Sequence, residues 1–186
     1  MFADWRVENI KLMFGFISSP ELKARVGLTS FLQHLTANES KTMLPSEFQN
    51  FYRFAFVRNP WDRMASIYSR MDPNMLIRAH EVGIDLLNVS FNQFLERTED
   101  FTHTHLASQS AFVFNALGIC EIDFIGRYER LADDFRAVCA RLGVDPSLTH
   151  ANASTRNGYR DYYSDATRKI VERRYNEDIE NFNYSF

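Results

Sequence analysis

Arg58, Ser66 and the residues between them are the part of this sequence whose types and spacing could do chemistry. A short apolar run, Phe54 to Val57, is followed by Arg58-Asn59-Pro60-Trp61-Asp62-Arg63 and then by Ser66 and Arg70. The run reads as a buried strand, and Asn59 before Pro60 reads as a helix N-cap with proline at the first helical position. Arg58 would then stand at the carboxyl end of a strand, beside the free N–H groups and positive end of a helix, where an anion is best held. Arginine suits phosphate because its planar fork donates two parallel hydrogen bonds. Ser66 falls two turns along the helix, on the face of Asp62, and adds a hydroxyl donor. Taken alone, Arg58 has a second reading, as a strand-end charge paired to a carboxylate.

Other candidates are scattered along the chain. His34 stands in Gln33-His34-Leu35, a setting as ordinary for a surface or core histidine as for a base. His103 and His105 alternate as metal ligands can, but no cysteine or carboxylate cluster adjoins them in sequence, so zinc is not expected. Tyr128, after Ile122 to Arg127, is either a core tyrosine or an aromatic platform at a strand end. Glu129 beside it reads as structural. Arg156 lies in a loop reading, His150 to Gly158, and reaches the Arg58 phosphate only if that loop folds back; a solvated charge is the alternative.

The elements that must position these residues follow from pattern and punctuation. Glu21 to Gln33 and Ser46 to Tyr52 read as short helices, the second started by Pro45. Asp72-Pro73 ends the central helical pattern, and Ser90 caps a helix whose Phe91, Phe94 and Leu95 form a core stripe. Ile122 to Tyr128 alternates like a strand and feeds a helix from Leu131 to Leu142 that Gly143 stops. A final helix is expected from Ser164 to about Phe182, with Ile170, Val171, Tyr175, Ile179 and Phe182 on one face.

With 45% apolar and 24% charged residues, 186 residues suffice for one domain over 1–186 with a substantial core. A net charge of −3 argues against nonspecific nucleic-acid binding and against a polybasic membrane contact, so any anion site must be local. Cys120 and Cys139 sit among apolar residues and read as small buried hydrophobes in a reducing compartment. The first residues show no basic segment followed by an apolar run, and no 18-residue apolar stretch occurs; the chain as given is expected to be cytoplasmic.

Phe-Val-Arg-Asn-Pro-Trp-Asp-Arg, with serine eight positions after Arg58, closely resembles a segment of sulfotransferases in the carbohydrate sulfotransferase branch. In that family the segment holds the 3′-phosphate of 3′-phosphoadenosine 5′-phosphosulfate (PAPS). The resemblance spans residues 50–186 and includes Phe124-Ile125-Gly126-Arg127-Tyr128-Glu129 and the aromatic C-terminal ending. It implies Arg58 and Ser66 as 3′-phosphate ligands, with Tyr128 seating the adenine. His105, followed four residues later by Gln109, resembles the family's pair facing donor and acceptor, which implies substrate contacts. The catalytic base is His34, which lies in the interval where some members carry it, or His105.

The implied fold is α/β, a parallel sheet flanked by helices in the P-loop nucleotide-hydrolase-like three-layer sulfotransferase form. The implied activity is PAPS-dependent O-sulfation of a hydroxyl, with a carbohydrate as the expected acceptor and no metal. The family pattern also contains an earlier strand and a Lys-Thr-Gly-Gly-Thr-like loop for the 5′-phosphosulfate. Gly15 and Gly27 are the only glycines before Gly83, and neither stands in such a setting; Lys41-Thr42 is followed by Met43. The expectation is therefore an N-terminally incomplete sulfotransferase, with a sheet edge open to a second copy. A non-catalytic nucleotide-binding relative, or a fragment, is the alternative.

Overall fold

The computed structural model describes residues 34–146 and 158–186. In chain order the elements are α1 (Ala37–Met43), α2 (Pro45–Asn50), β1 (Phe54–Val57), α3 (Pro60–Ser69), α4 (Pro73–Glu81), α5 (Phe91–Arg97), the single turn α6 (Ser110–Val113), β2 (Phe124–Arg127), α7 (Leu131–Leu142), α8 (Asp165–Arg174) and α9 (Asn176–Asn181). Short 3-10 turns stand at Thr104–Leu106, Tyr128–Arg130 and Tyr159–Tyr162. The protein is thus α/β. The helix expected at Glu21 to Gln33 and the candidate Arg156 lie outside the described residues.

The described residues divide into two compact units, 34–53 with 111–123, and 54–110 with 124–146 and 158–186. In the first, Thr36 and Glu39 form a capping box: the Glu39 N–H donates to the Thr36 hydroxyl at 3.1 Å, and the Thr36 N–H donates to the Glu39 carboxylate at 2.8 Å. Pro45 opens α2 as its sequence predicts. Lys41 pairs with Glu121 at 3.0 Å, and Arg53 forks onto Asp123 at 2.7 and 2.9 Å. Cys120 is exposed here, which corrects the expectation of two buried cysteines; it follows a turn at Asn115 to Ile119 that is closed by polar main-chain bonds and whose Leu117 and Ile119 are exposed as well. Cys139, in the other unit, is buried and both thiols are free.

The second unit carries the sheet. Among the described residues it has two parallel strands, β1 and β2, in register from Phe54 opposite Phe124 to Val57 opposite Arg127. Parallel strands need a crossover, and α3, α4 and α5 lie along it. Local chemistry sets each start: Asn59 caps α3 ahead of Pro60, Asp72 caps α4 ahead of Pro73, and Ser90 with Gln93 forms a capping box on α5. Asp72-Pro73 therefore ends one helix pattern and begins another. Gly143 stops α7 with φ of 69°, a left-handed geometry that glycine adopts without penalty. Phe91, Phe94 and Leu95 are buried as their stripe implies, in a cluster with Trp61, Met64 and Tyr175. No helix among the described residues is long and apolar enough to cross a membrane.

The expected single terminal helix is two. Ser164 caps α8 as predicted, but the helix breaks at Tyr175, with φ −120° and ψ 32°, before α9 begins. The Tyr175 hydroxyl donates to the Leu106 carbonyl at 2.8 Å, and Asp178 on α9 accepts from residues 108–110. These buried tertiary bonds outweigh the continuity of one helical turn.

Gly126, opposite Phe56 in the ladder, has no room for a side chain. A Cβ there would stand 2.5 Å from Phe56 Cε1 and 3.2 Å from Asp134 Cβ. Gly126→Ala is expected to destabilise the protein by about 1–3 kcal/mol, the usual cost of overpacking, in urea denaturation. An unchanged midpoint would show that the Phe56 ring yields freely.

Candidate functional site

Arg58 leaves the end of β1 with its main chain clamped. Its N–H donates to Gln109 Oε1 at 2.8 Å, and its carbonyl accepts from Gln109 Nε2 at 2.8 Å. The Gln109 amide therefore continues the strand's hydrogen bonding for one further residue. Arg58 Nε donates to Asp62 Oδ2 at 2.5 Å, one helical turn into α3. The guanidinium lies over the Tyr128 ring, 4.1 Å from its centre. Among the described residues the two terminal guanidinium nitrogens make no hydrogen bond. The carboxylate reading of Arg58 and the anion reading thus coexist: Asp62 takes the Nε edge and leaves the outer fork open. Ser66 stands four residues beyond Asp62 on the same face of α3, and its hydroxyl also makes no hydrogen bond among the described residues.

The first N–H groups of α3 are not free. Asn59 Oδ1 accepts from the N–H groups of Trp61 and Asp62 at 3.0 and 3.4 Å, and Glu129 Oε1 accepts from the Asn59 N–H at 2.6 Å. Pro60 has none to offer. These N–H groups are therefore not available to an anion at this end of the sheet, to which the helix would offer its dipole alone. Asn59 Nδ2 in turn donates to the Ser185 carbonyl at 2.8 Å, which ties the C-terminal segment to the cap.

Tyr128 is 46% exposed, so the core reading does not describe it, and one face of its ring carries Arg58. Glu129 is structural as expected, since it also accepts from the Tyr184 hydroxyl at 3.0 Å. Burial, followed by the Glu129 charge, pushes the Tyr184 hydroxyl well above its ordinary range. Gln109 uses its amide on protein: besides the Arg58 bonds, Nε2 lies 3.3 Å from Asp178 Oδ2. His105 is half-buried in the same unit, its N–H donating to His103 Nδ1 at 3.2 Å and its ring meeting His103 edge-on at 5.0 Å. His34 is exposed, with φ of 67°, and belongs to the other unit. Among the described residues there is no group of three or more histidine, cysteine or acidic side chains able to hold a metal.

Two residues that sequence reasoning left out support this arrangement. Arg63 donates from Nη2 to the carbonyls of His105 and Ala107 at 2.9 and 2.7 Å, while its buried Nη1 finds no partner among the described residues. Burial lowers its pKa, against the neighbouring Tyr175 and Asp178. Asp178 is wholly buried and accepts four hydrogen bonds from residues 108–110. The available signal was a carboxylate set at i+3 from Tyr175 and i−4 from Phe182, inside an apolar stripe.

Tyr175 supplies a pH test of this core. Burial raises its hydroxyl above the ordinary 10.0. The folded state then holds a proton that the unfolded chain releases, so stability is complete below about pH 10 and falls as pH rises above it. The expected limiting slope is about 1.4 kcal/mol per pH unit for this group. Chemical denaturation across that range should show a shallower decline in Tyr175→Phe; an equal decline would place the alkaline sensitivity elsewhere.

The fold thus places an arginine fork at the end of a parallel strand, where a helix begins. A model described as the sulfotransferase family matches residues 23–185, and the chain belongs to that family. It is similar to carbohydrate sulfotransferase 14 of Mus musculus, 22% identical over 165 residues, which cover 78% of this chain and 43% of that protein. The Danio rerio protein of the same name is 22% identical over 163 residues, covering 76% and 43%. An uncharacterized protein of Archaeoglobus fulgidus is 27% identical over 117 residues, covering 61% of this chain and 86% of its own. The chain thus spans less than half the length of the two named sulfotransferases. No solved structure matches it significantly.

Proposed function

We propose that this protein binds PAPS through Arg58 and Ser66 and transfers its sulfuryl group to a hydroxyl, with a carbohydrate as the acceptor class. The observation that carries the reading is the Arg58 guanidinium, anchored by Asp62 on one edge, set over Tyr128, and with both terminal nitrogens making no hydrogen bond among the described residues. That geometry fits a phosphate approached by a fork, with Ser66 two turns along as a hydroxyl donor. The exposed Tyr128 ring suits an adenine beside it. The sheet would be the described part of a three-layer, P-loop-like sulfotransferase fold.

In the transfer, the acceptor oxygen bonds to sulfur as the bond from sulfur to the bridging oxygen of the 5′-phosphate breaks. The acceptor proton passes to a base, and 3′-phosphoadenosine 5′-phosphate departs with the electron pair. His105, in the unit that holds Arg58, or His34 is the base in this reading. The family match supports a sulfotransferase, and the similarity to carbohydrate sulfotransferase 14 supports the acceptor class.

The test is calorimetric titration with 3′-phosphoadenosine 5′-phosphate and, separately, with adenosine 5′-monophosphate, which lacks the 3′-phosphate. A clear preference for the first is expected, followed by sulfate transfer from PAPS to a panel of saccharides. Equal affinity for the two nucleotides would overturn the 3′-phosphate assignment.

A further inference from the structure

The Asp178 carboxylate has no exposed surface, and among the described residues its hydrogen bonds include no basic side chain: four of them go to three consecutive residues. Oδ1 accepts from the Ser108 hydroxyl at 2.6 Å and the Ser110 N–H at 2.7 Å. Oδ2 accepts from the Gln109 N–H at 2.9 Å and from Gln109 Nε2 at 3.3 Å. One carboxylate on α9 therefore sets both the main chain of the 108–110 turn and the orientation of the side-chain amide between them. That amide makes the two-bond clamp on Arg58, its oxygen taking the Arg58 N–H and its nitrogen giving to the Arg58 carbonyl. A residue at the far end of the chain is thus two hydrogen-bond steps from the main chain of the arginine.

We infer that Asp178 is a positioning residue for the anion site: through Gln109 it fixes the main chain of Arg58, and so the direction in which the guanidinium fork points. The inference rests on the reading of Arg58 as the 3′-phosphate ligand, and it extends that site to a residue that never touches the nucleotide. The physical reason is preorganisation. A fork binds a phosphate with full strength only if its approach is set before the ligand arrives, and a small angular error loses one of its two bonds. Arg58 sits at the end of a four-residue strand, past the last strand pairing at Val57 and Arg127, so the sheet does not hold it. Gln109 does, and Asp178 keeps Gln109 from turning over. An asparagine at 178 has the same shape but offers one acceptor atom and one donor atom. If its oxygen keeps Ser108 and Ser110, its NH₂ faces the two donors of Gln109, and the clamp is released.

The experiment compares wild type, Asp178→Asn and Gln109→Met. The readout is the ratio of affinities for 3′-phosphoadenosine 5′-phosphate over adenosine 5′-monophosphate, together with hydrogen exchange at the Arg58 amide in the absence of nucleotide. Positioning predicts that Asp178→Asn lowers the ratio by about 10- to 100-fold while affinity for the monophosphate holds. Gln109→Met should do the same, and the two changes together should be no worse than either alone. Exchange at the Arg58 amide should quicken in both variants. A merely structural aspartate would lower the melting temperature and leave the ratio intact, and that result overturns the inference. Should Asp178→Asn fail to fold, Gln109→Met decides alone, a wild-type ratio in it being fatal. A wild type with no preference for the 3′-phosphate sinks the functional reading, whereas the exchange data still judge the link from Asp178 to Arg58.

Discussion

Replacing Arg58 with alanine is expected to lower affinity for 3′-phosphoadenosine 5′-phosphate by about 2–5 kcal/mol, roughly 30-fold to 4,000-fold, with the fold retained. Two terms add. The variant loses the fork, and it takes a cation away from the Asp62 carboxylate, whose side chain is 17% exposed and now meets Arg58 at 2.5 Å. A carboxylate that has lost this neighbouring cation repels a phosphate more strongly, so Arg58→Ala combined with Asp62→Asn should recover part of the loss. Arg58→Lys keeps the charge but gives up the planar fork and the stacking on Tyr128, and should fall between wild type and alanine. Calorimetry on the four proteins separates these terms. Wild-type affinity in Arg58→Ala would remove Arg58 from the site.

The largest effect on stability is expected at Trp61. Its ring is 3% exposed and meets the Phe186 ring edge-on at 5.7 Å. Its indole N–H donates to the Arg168 carbonyl at 3.1 Å, and its own carbonyl accepts from the Tyr163 hydroxyl at 2.8 Å. Trp61→Ala should cost about 3–5 kcal/mol, the range for emptying a buried aromatic position. Against a total of about 5–15 kcal/mol this leaves a marginal protein. The melting temperature should fall by about 6–20 °C. Trp61→Phe refills most of the volume and isolates the indole bond, whose loss should cost about 0.5–1.5 kcal/mol, since the Arg168 carbonyl lies inside α8 and keeps its helical partner. A loss below 1 kcal/mol for the alanine variant would mean that Phe186 and Tyr163 collapse into the space.

Both predictions concern neighbours in one heptapeptide, and the difference in how legible they were is instructive. That Asn59 caps α3 and Pro60 opens it was readable, because a cap and its first turn lie within three residues and depend on side-chain chemistry alone. The same holds for Ser90 on α5, Ser164 on α8 and Gly143 after α7. The N–H groups near Arg58 looked open to an anion from sequence. They are occupied by Asn59 and by Glu129, the latter 70 residues away, and no local pattern announces a partner at that distance. Tyr175 likewise fits a helical stripe perfectly well and still interrupts the helix, since its hydroxyl answers to Leu106.

The sequence by itself determined the family, the α/β class, the strand-to-helix turn at Arg58, the caps, and the apolar faces. These follow from short-range sterics, capping chemistry and hydrophobic period, which act over a few residues. Only the tertiary structure decided that Asp62 takes the Nε edge of Arg58 while its terminal nitrogens make no hydrogen bond among the described residues, that Tyr128 lies beneath the guanidinium, and that Gln109, 51 residues away, bonds the Arg58 main chain and is itself bonded by Asp178. Hydrogen bonds between distant segments are chosen by which donors and acceptors become buried together, and burial is a property of the packed chain rather than of any stretch of it.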